Sequence, residues 1–216
     1  MISCKVSKAI QLLRSPRTVH HLLSLRFSGF LLDEGWFESA RRKQSLDCDG
    51  SPVPWFTYPF NNFLLPRIRP DLQIFEFGGG ASTLYLMNNC ASVTTVEHDT
   101  DWFGQLQQQV NNNVTLLQRS LDDESYVTAL SEQERRYDII AVDGRRRAEC
   151  AMNAVEYLTD HGVIIWDDSE REEYQPGIAV LTEKGFKRLD FWGCGAGFLF
   201  KACTTVFYRS DNCLGI

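Results

Sequence analysis

The spacing of apolar residues along the chain changes near residue 72. Before that point, apolar residues recur at roughly helical spacing around residues 10–13 and 22–25, which predicts two or three short helices. The glycine and prolines of residues 50–54 then predict a turn. An aromatic-rich segment follows, and it predicts one helix that ends before Pro66. The region ahead of residue 72 is therefore expected to be helical.

Beyond residue 72, short apolar runs alternate with amphipathic stretches. The apolar runs are rich in β-branched and aromatic residues and end in glycines or acids, which is typical of buried strands. The stretches between them predict helices, one of which begins at a cap on Asp101 and another of which ends at Gly162. The predicted strands cover residues 72–78, 93–99, 114–120, 137–144, 162–168, 186–193 and 201–210, and the predicted helices cover residues 80–92, 101–110, 122–136, 145–162 and 172–184.

Strands that alternate with helices are typical of a mostly parallel sheet with helices on both faces. The last two strands are joined only by the short segment 193–200, so we expect them to form an antiparallel pair. The expected fold is α/β, a Rossmann-like three-layer sandwich with a mostly parallel seven-stranded sheet, an antiparallel C-terminal strand pair and N-terminal helices. Residues 1–52 are expected to form a helical extension or lid, and residues 53–216 the ligand-binding domain.

Composition narrows the classes of protein that fit. With 216 residues, the chain suits one domain, alone or with an appendage. Its formal net charge of -6 argues against a general electrostatic affinity for nucleic acid, although it leaves room for a local basic pocket. The seven cysteines are scattered without a C-x-x-C pair, which favours reduced thiols in a cytoplasmic protein. No apolar run reaches the length of about 18 residues that a membrane helix needs, so we expect no membrane partner.

Residues that suit ligand binding lie at the carboxyl ends of the predicted strands, where open α/β sheets bind their ligands. The first strand carries Glu76 and runs into Gly78 and Gly80, and such glycines let the backbone pass close to a ligand. The helix that follows offers free N–H groups beside Ser82. Glu97 ends the second strand, where an acid can accept hydrogen bonds from the vicinal hydroxyls of a ribose. The alternatives are a simple turn for the glycines and a solvated strand end for Glu97.

The pattern E-x-G-x-G on the first strand, with an acid at the end of the second, resembles the cofactor site of class I S-adenosylmethionine (SAM)-dependent methyltransferases. The resemblance implies that Glu76 lies near the amino acid end of SAM and that Glu97 holds its ribose. It also implies that Gly78 and Gly80 lie under the cofactor. Thr83 stands where a dinucleotide fingerprint has its third glycine, which argues against NAD or FAD.

The same resemblance assigns roles to two further acids. Asp122 follows the third strand, where the family often places an acid against the adenine amino group. An equally good interpretation of Asp122 is a helix N-cap, and the two roles are compatible. Asp143 ends the fourth strand, at the position that faces both cofactor and acceptor in the family.

Asp143, together with Asp167 and Asp168 after the fifth strand, resembles the ligand set of the metal-dependent O-methyltransferases. Carboxylates suit a hard ion such as Mg²⁺. The ion would lower the pKa of an acceptor hydroxyl and orient it toward the methyl group. The alternative is that the three acids hydrogen-bond to loops and helix N-termini without any ion.

A closer resemblance is to a poorly characterised group of small bacterial-type methyltransferases, and it covers about residues 53–210. It indicates a family without indicating the substrate. The segments that carry it are Trp55–Pro59, Glu76–Thr83, Asp143–Arg145, Asp167–Ser169 and Gly193–Arg209.

Three consecutive arginines, Arg145 to Arg147, open the predicted helix after the fourth strand. Cations are electrostatically unfavourable in the first turn of a helix, so the run is unusual. We expect only Arg145 to turn inward, where it suits an anionic acceptor, and the other two to be solvated. His98, next to Glu97, is a candidate base, and the alternative is a histidine that is simply hydrogen-bonded at a strand end.

Together these features predict a SAM-dependent methyltransferase that moves a methyl group to an oxygen or nitrogen of a small-molecule acceptor. Asp143 and Asp168 are the predicted catalytic residues, and the N-terminal helices are expected to form a lid over a SAM-binding domain. One alternative is a nucleotide- or NAD-binding Rossmann-like protein without methyl transfer. Another is a non-enzymatic module whose glycine loop is only structural.

Overall fold

The computed structural model describes residues 14–216, so the helix expected around residues 10–13 lies outside the described residues. The strands are β1 (Gln73–Phe77), β2 (Ser92–Glu97), β3 (Val114–Gln118), β4 (Tyr137–Val142), β5 (Leu158–Trp166), β6 (Lys187–Gly195) and β7 (Phe198–Tyr208). The α-helices are α1 (Pro16–Ser24), α2 (Phe30–Asp33), α3 (Trp36–Arg42), α4 (Tyr58–Leu64), α5 (Ala81–Leu86), α6 (Thr100–Gln107), α7 (Arg147–Ala154) and α8 (Gln175–Glu183). Short 3₁₀ helices cover Leu65–Arg67, Ala129–Gln133, Val155–Tyr157 and Glu172–Tyr174.

The strands form one seven-stranded sheet in the order β3-β2-β1-β4-β5-β7-β6. Strands β1 to β5 run parallel to one another, whereas β7 lies antiparallel to both β5 and β6. The predicted α/β fold with its antiparallel C-terminal pair is therefore confirmed. The chain first builds outward from β1 through β2 and β3 and then returns to the other side of β1 with β4. Ligands bind beyond the carboxyl ends of the strands at such a switch point.

The sheet is buried on both faces, because successive side chains of a strand point to opposite sides. In β1, Phe75 and Phe77 pack into one core cluster with Trp166, whereas Ile74 packs into a second cluster with Phe60. Each of these side chains is fully buried. Burial of one such side chain stabilises the fold by about 1.5 to 3 kcal/mol. The two clusters therefore hold the carboxyl ends of the central strands in place.

Residues 122–136, predicted as a surface helix, do not form one. The segment is a series of turns with one 3₁₀ helix, Ala129–Gln133. Local bonds between side chains and the backbone take the place of helical ones, as where the N–H of Asp122 donates to Ser120 Oγ at 3.0 Å. Segments rich in Ser and Asp favour such bonds over a helix. Asp122 is therefore not a helix N-cap.

The helix predicted over residues 145–162 is shorter than expected. It ends at Ala154, and β5 begins at Leu158 and not at Gly162. Tyr137 of β4 pairs with Leu158, and Ile139 pairs with Val163, so the register shifts between these two pairs. Residues 159–162 therefore belong to β5 but have no regular partners on β4. Gly162 therefore lies in a strand and does not close a helix.

The start of α6 also differs from the prediction. Its N-cap is Asp99, whose side chain accepts a hydrogen bond from the N–H of Trp102 at 2.9 Å. The prediction of Asp101 as the cap was wrong, because the chain enters the helix directly from the end of β2. The helices predicted before Pro66 and over residues 172–184 are present as α4 and α8.

The N-terminal region packs on the hairpin formed by β6 and β7. The indole N–H of Trp36 donates to the carbonyl of Phe198 at 3.0 Å, and that of Trp55 donates to the carbonyl of Ala196 at 2.7 Å. These bonds tie the segment that precedes β1 to the C-terminal strand pair. The domain boundary at residue 52 stays a prediction.

The described part of the chain has no helix that is both long and apolar enough to span a bilayer. Its six cysteines are all free. Four of them are buried, namely Cys90, Cys150, Cys203 and Cys213. This agrees with the expectation of reduced thiols that mostly fill the core.

Candidate functional site

The carboxyl ends of β1, β2 and β4 border one cleft of about 500 Å³. Five of the predicted cofactor residues line it, namely Gly78, Gly80, Ser82, Glu97 and Asp143. The N-terminal region contributes Lys43, Gln44, Ser45, Leu46, Pro52 and Trp55 to the wall, and the other lining residues are Gly79, Ala81, Leu84, His98, Trp102, Gln105, Leu106, Gln109, Gly144, Arg145 and Arg147. Asp122 is exposed after β3 and does not line the cleft, so its contact with adenine stays a prediction.

The loop after β1 passes so close to the loop after β4 that both need glycine. Gly78 has a φ of +91°, and a Cβ atom on it would lie 2.8 Å from the Cα of Gly144. A Cβ atom on Gly144 would in turn lie 2.0 Å from the hydroxyl oxygen of Tyr126, which is fully buried. The glycines therefore join the two loops as well as leaving room for a ligand.

Glu76 lies beneath the Gly78–Gly80 loop and not on the wall of the cleft, with 1% of its surface exposed. Its Oε2 accepts hydrogen bonds from Thr83 Oγ1 at 2.8 Å and from Thr95 Oγ1 at 3.0 Å. The N–H of Gly80 donates to the same Thr83 oxygen at 3.0 Å, so one hydroxyl links Glu76 to the loop. Burial raises the pKa of Glu76 to about 7, although nearby hydroxyl groups act to lower it.

Glu97 is held in one orientation by three backbone N–H groups. Its Oε1 accepts from the N–H groups of His98 at 2.7 Å and Asp99 at 2.8 Å, and its Oε2 accepts from that of Gly79 at 3.2 Å. A carboxylate has about four acceptor positions, so Oε2 keeps one for a ligand. The ring Nδ1 of His98 lies 2.8 Å from Glu97 Oε1, and the role of His98 as a base stays a prediction.

Two tryptophans line the cleft with their indole N–H groups already bonded. Trp102 donates to the carbonyl of Gly79 at 2.7 Å, and Trp55 donates to the carbonyl of Ala196. The two side chains are nevertheless 40% and 47% exposed, respectively. A ring that is fixed at one edge and open on its surface suits stacking with a planar group. Trp102 falls within the helix predicted over residues 101–110, but the sequence analysis assigned it no role, so its position in the cleft was missed.

At the carboxyl ends of β4 and β5, called here the β4–β5 end, Arg147 lies among the three predicted metal ligands. Its Nη2 is 3.1 Å from Asp143 Oδ1, and its Nη1 is 3.2 Å from Asp168 Oδ2 and 3.8 Å from Asp167 Oδ2. Arg147 is 8% exposed, so the prediction of a solvated side chain was wrong. Attraction to buried carboxylates outweighs the unfavourable position in the first turn of the helix.

The other two arginines of the run have different surroundings. Arg145 lines the cleft with an exposed side chain, as expected. Arg146 has a φ of +49° and forms ion pairs with Glu124, at 2.8 Å, and with Glu149. The unusual run of three cations therefore serves three separate sites: the cleft, the surface and the buried acids.

The three acids do not fit a metal ion. Only Asp143 lines the cleft, and Asp167 and Asp168 lie behind it. Asp167 Oδ1 accepts from Thr204 Oγ1 at 2.6 Å, and Asp168 forms an ion pair with Arg171. Among the described residues, no three His, Cys, Asp or Glu side chains are grouped so that they could hold a metal. Burial and the neighbouring carboxyl groups of Asp143 and Asp168 raise the pKa of Asp167 well above its usual range.

Comparison with known proteins bears on the fold. No protein-family model matches the sequence, and no curated protein matches it. The O-methyltransferase from Bacillus cereus in complex with SAH is 15% identical to this chain, has a TM-score of 0.57, and is matched over 88% of this chain and 96% of that chain. The precorrin 8W decarboxylase from Methanobacterium thermoautotrophicum is 16% identical, with a TM-score of 0.54 and coverage of 78% and 97%. A methyltransferase-like protein from Silicibacter pomeroyi is 20% identical, with a TM-score of 0.51 and coverage of 73% and 90%.

Similarity at these levels of identity shows the fold alone. This chain shares the fold of these three proteins, and that fold is the Rossmann-like one that the sequence predicted. The activity and the acceptor have to be argued from the cleft itself.

Proposed function

We propose that this protein is a SAM-dependent methyltransferase that transfers a methyl group to an oxygen or nitrogen of a small anionic acceptor. The observation that carries the proposal is the acceptor position left on Glu97 Oε2, beside the Gly78–Gly80 loop. A ribose hydroxyl that donates to this oxygen would lie at the switch point, where such sheets bind their ligands. The cleft volume of about 500 Å³ is within the range of sites for small molecules and cofactors.

The glycine loop borders the amino acid part of SAM in this arrangement, and Ser82 adds a hydroxyl group at the wall of the cleft. That Glu76 lies near the amino acid end of SAM, as the resemblance implied, stays a prediction. Glu76 contacts the loop from below, through Thr83, and does not reach the cleft. We therefore assign Glu76 a positioning role.

Thr83 favours SAM over the alternative of a dinucleotide. In the dinucleotide fingerprint the third glycine allows close packing of the helix against the strand. Here Thr83 is fully buried and donates to Glu76, so a hydrogen bond holds the start of α5 to β1. The buried hydroxyl of Thr83 therefore supports a glycine loop that differs in shape from the loop of a dinucleotide site.

The acceptor class is inferred from Lys43, Trp55 and Arg145, all of which line the cleft. The side chains of Lys43 and Arg145 are exposed, although the chain as a whole carries a net charge of -6. Two cations and an open indole ring on the wall of one cleft favour a planar acceptor that carries a carboxylate or a phosphate.

Bound SAM supplies an electrophilic methyl group, so the protein has to align the acceptor and, where needed, remove its proton. Asp143 is the carboxylate of the β4–β5 end that lines the cleft, and we assign it the acceptance of that proton. Asp168, the other predicted catalytic residue, contacts Arg147 and Arg171 instead of the cleft. It acts on the acceptor only through these arginines.

Calorimetric titration with SAM, SAH and NAD tests the cofactor. We expect SAM and SAH to bind, NAD not to bind, and Glu97→Ala to weaken SAM binding by about tenfold or more, a loss of about 1.4 kcal/mol. Glu183→Ala is the matched control, because Glu183 is exposed at the end of α8. This variant should bind SAM as the wild type does. Binding of NAD without SAM or SAH would overturn the proposal in favour of the dinucleotide alternative.

Formation of SAH from SAM tests the acceptor class. The probes are small aromatic hydroxyl and amine compounds, each offered with and without a carboxylate or phosphate group. We expect faster turnover of the anionic members, and a severalfold higher KM for them in Arg145→Gln with no change for neutral members. Equal rates for charged and neutral members would contradict the inferred acceptor class.

A further inference from the structure

We propose that Arg147 is the resident cation of the β4–β5 end, in the position that a divalent ion would take, and that it orients Asp143 toward the acceptor without a metal. The guanidinium nitrogens lie 3.1 Å from Asp143, 3.2 Å from Asp168 and 3.8 Å from Asp167. These acids follow two different strands, so one group joins the ends of both. The role in orienting Asp143 rests on the proposed function, and the replacement of the metal does not.

Four hydrogen bonds and an ion pair with Asp168 fix the orientation of the guanidinium group. Nε donates to the carbonyl of Gly144 at 3.1 Å, and Nη2 donates to the carbonyl and to Oδ1 of Asp143 at 3.0 and 3.1 Å. Nη1 donates to the carbonyl of Asp167 and lies 3.2 Å from Asp168 Oδ2. A planar group with five N–H donors matches this set, whereas the single ammonium group of lysine does not.

The outer atoms of the acids are engaged as well. Thr204 donates to Asp167 Oδ1 at 2.6 Å, and Arg171 pairs with Asp168. An added divalent ion would have to lie in contact with a fixed positive charge, and like charges repel strongly at such distances in a partly buried site. The residues therefore do not fit the metal that the resemblance to metal-dependent O-methyltransferases implied.

Asp143 connects this network with the cleft. Its side chain is 25% exposed, whereas those of Asp167 and Asp168 are 12% and 16% exposed. Because Nη2 of Arg147 bonds both the carbonyl and the carboxylate of Asp143, it sets the direction in which that carboxylate faces the cleft. Arg147 is thus a positioning residue, and Asp143 is the group that meets the acceptor.

The first test uses the wild-type protein with Mg²⁺ alone. We expect calorimetric titration to show no saturable binding at millimolar concentrations, and thermal unfolding to be the same in Mg²⁺ and in EDTA. Saturable Mg²⁺ binding that is lost in Asp168→Asn would overturn the proposal. These measurements need no SAM, so their outcome is separate from that of the proposed function, which the SAM titration decides.

The second test replaces the cation. Arg147→Lys keeps the charge and loses the planar donor set, so we expect kcat to fall by about tenfold or more while the KM for SAM stays unchanged. Arg147→Gln leaves Asp143 and Asp167 without a cation and leaves Asp168 with Arg171 alone. We therefore expect millimolar Mg²⁺ to raise the melting temperature of this variant and to leave that of the wild type unchanged. Arg146→Gln, next along the chain and paired at the surface, is the control and should behave as the wild type in both assays.

Two outcomes of the second test would overturn the proposal. One is a wild-type kcat in Arg147→Lys, because the donor set would then be dispensable. The other is a folded Arg147→Gln whose melting temperature does not respond to Mg²⁺, because the position would then not be that of a cation. If Arg147→Gln does not fold, the wild-type titration and Arg147→Lys still decide the matter.

Discussion

The two ends of the cleft differ in the donors that surround their buried carboxyl groups. Beside the glycine loop, Glu76 lies among neutral donors, the hydroxyls of Thr83 and Thr95. At the β4–β5 end, Asp143 faces the guanidinium group of Arg147. Hydroxyls satisfy oxygen atoms without supplying charge, so burial dominates and the pKa of Glu76 rises to about 7. Burial also raises the pKa of Asp143, to about 6, although the charge of Arg147 acts to lower it.

This difference separates two tasks that carboxyl groups perform in one fold. A buried acid among hydroxyls changes its charge near neutral pH, and here it supports a loop. An acid bonded to a fixed arginine keeps its direction, and here it presents one carboxylate to the cleft. The task of a buried carboxyl group here therefore depends more on the kind of donor beside it than on the number of acids nearby.

Removal of Arg147 is expected to have the largest effect on stability. Arg147→Met leaves the carboxylates of Asp143 and Asp167 without a cation. Breaking a buried ion pair in this way costs about 3 to 5 kcal/mol of unfolding free energy. Arg146→Met is the control, because its pairs with Glu124 and Glu149 lie at the surface, where a pair contributes under about 1 kcal/mol. Urea denaturation measures both variants. Equal losses would show that the ion pairs of Arg147 stabilise the fold no more than surface pairs do.

At the glycine-loop end, Glu76 is expected to make the unfolding free energy depend on pH. The pKa of Glu76 is raised from 4.5 to about 7, so the folded state binds a proton more tightly than the unfolded state does. The stability from this group is therefore fully present below about pH 4.5 and is lost as the pH rises through 7. Between pH 5 and pH 8, the wild type is expected to lose roughly 2 to 3 kcal/mol of unfolding free energy through Glu76.

Glu76→Gln isolates this contribution, because an amide does not titrate. The unfolding free energy of the wild type minus that of the variant should fall by the stated amount between pH 5 and pH 8. Groups that titrate equally in both proteins cancel in the difference. A difference that stays constant with pH would contradict the raised pKa of Glu76.

Gly144 tests the place where the two ends meet, with an intermediate effect. A Cβ atom there would lie 2.0 Å from the hydroxyl oxygen of Tyr126 and 2.9 Å from the carbonyl oxygen of Phe77, so Gly144→Ala is expected to cost about 2 kcal/mol. Adding Tyr126→Phe removes the nearer atom and should recover part of this loss in a double-mutant cycle. Strictly additive losses would show that the tyrosine hydroxyl does not limit the space above Gly144.

The glycine-loop end could be predicted from the sequence because its features are local. Gly78, Gly80 and Glu97 follow directly from strands whose apolar pattern is plain, and the structure places all three on the cleft. Thr83 was recognised as a departure from a fingerprint, but its bond to Glu76 needs the helix to return over the strand. Its consequence therefore became visible only in three dimensions.

The β4–β5 end could not be predicted in the same way, because its contacts are distant in sequence. Arg147 bonds the carbonyl of Asp167, which is 20 residues further along the chain and on the next strand. The sequence offered one signal, the unfavourable cations in the first turn of a helix, and it was interpreted as solvation. Residues 122–136 failed as a helix for a local reason, the competing side-chain bonds, which helical spacing alone does not reveal.

The smallest expected effect is at Thr83, whose hydroxyl joins Glu76 to the N–H of Gly80. Thr83→Val keeps the shape of the side chain and removes the hydroxyl, which is expected to cost about 1 kcal/mol of unfolding free energy. Thr83→Ser keeps the hydroxyl and is the control. If this bond sets the shape of the glycine loop, Thr83→Val also weakens SAM binding severalfold and Thr83→Ser does not. If Thr83→Val lowers the stability but leaves the SAM affinity unchanged, the hydroxyl of Thr83 does not set the shape of the glycine loop. The contact of the loop with Gly144 would then be what sets it.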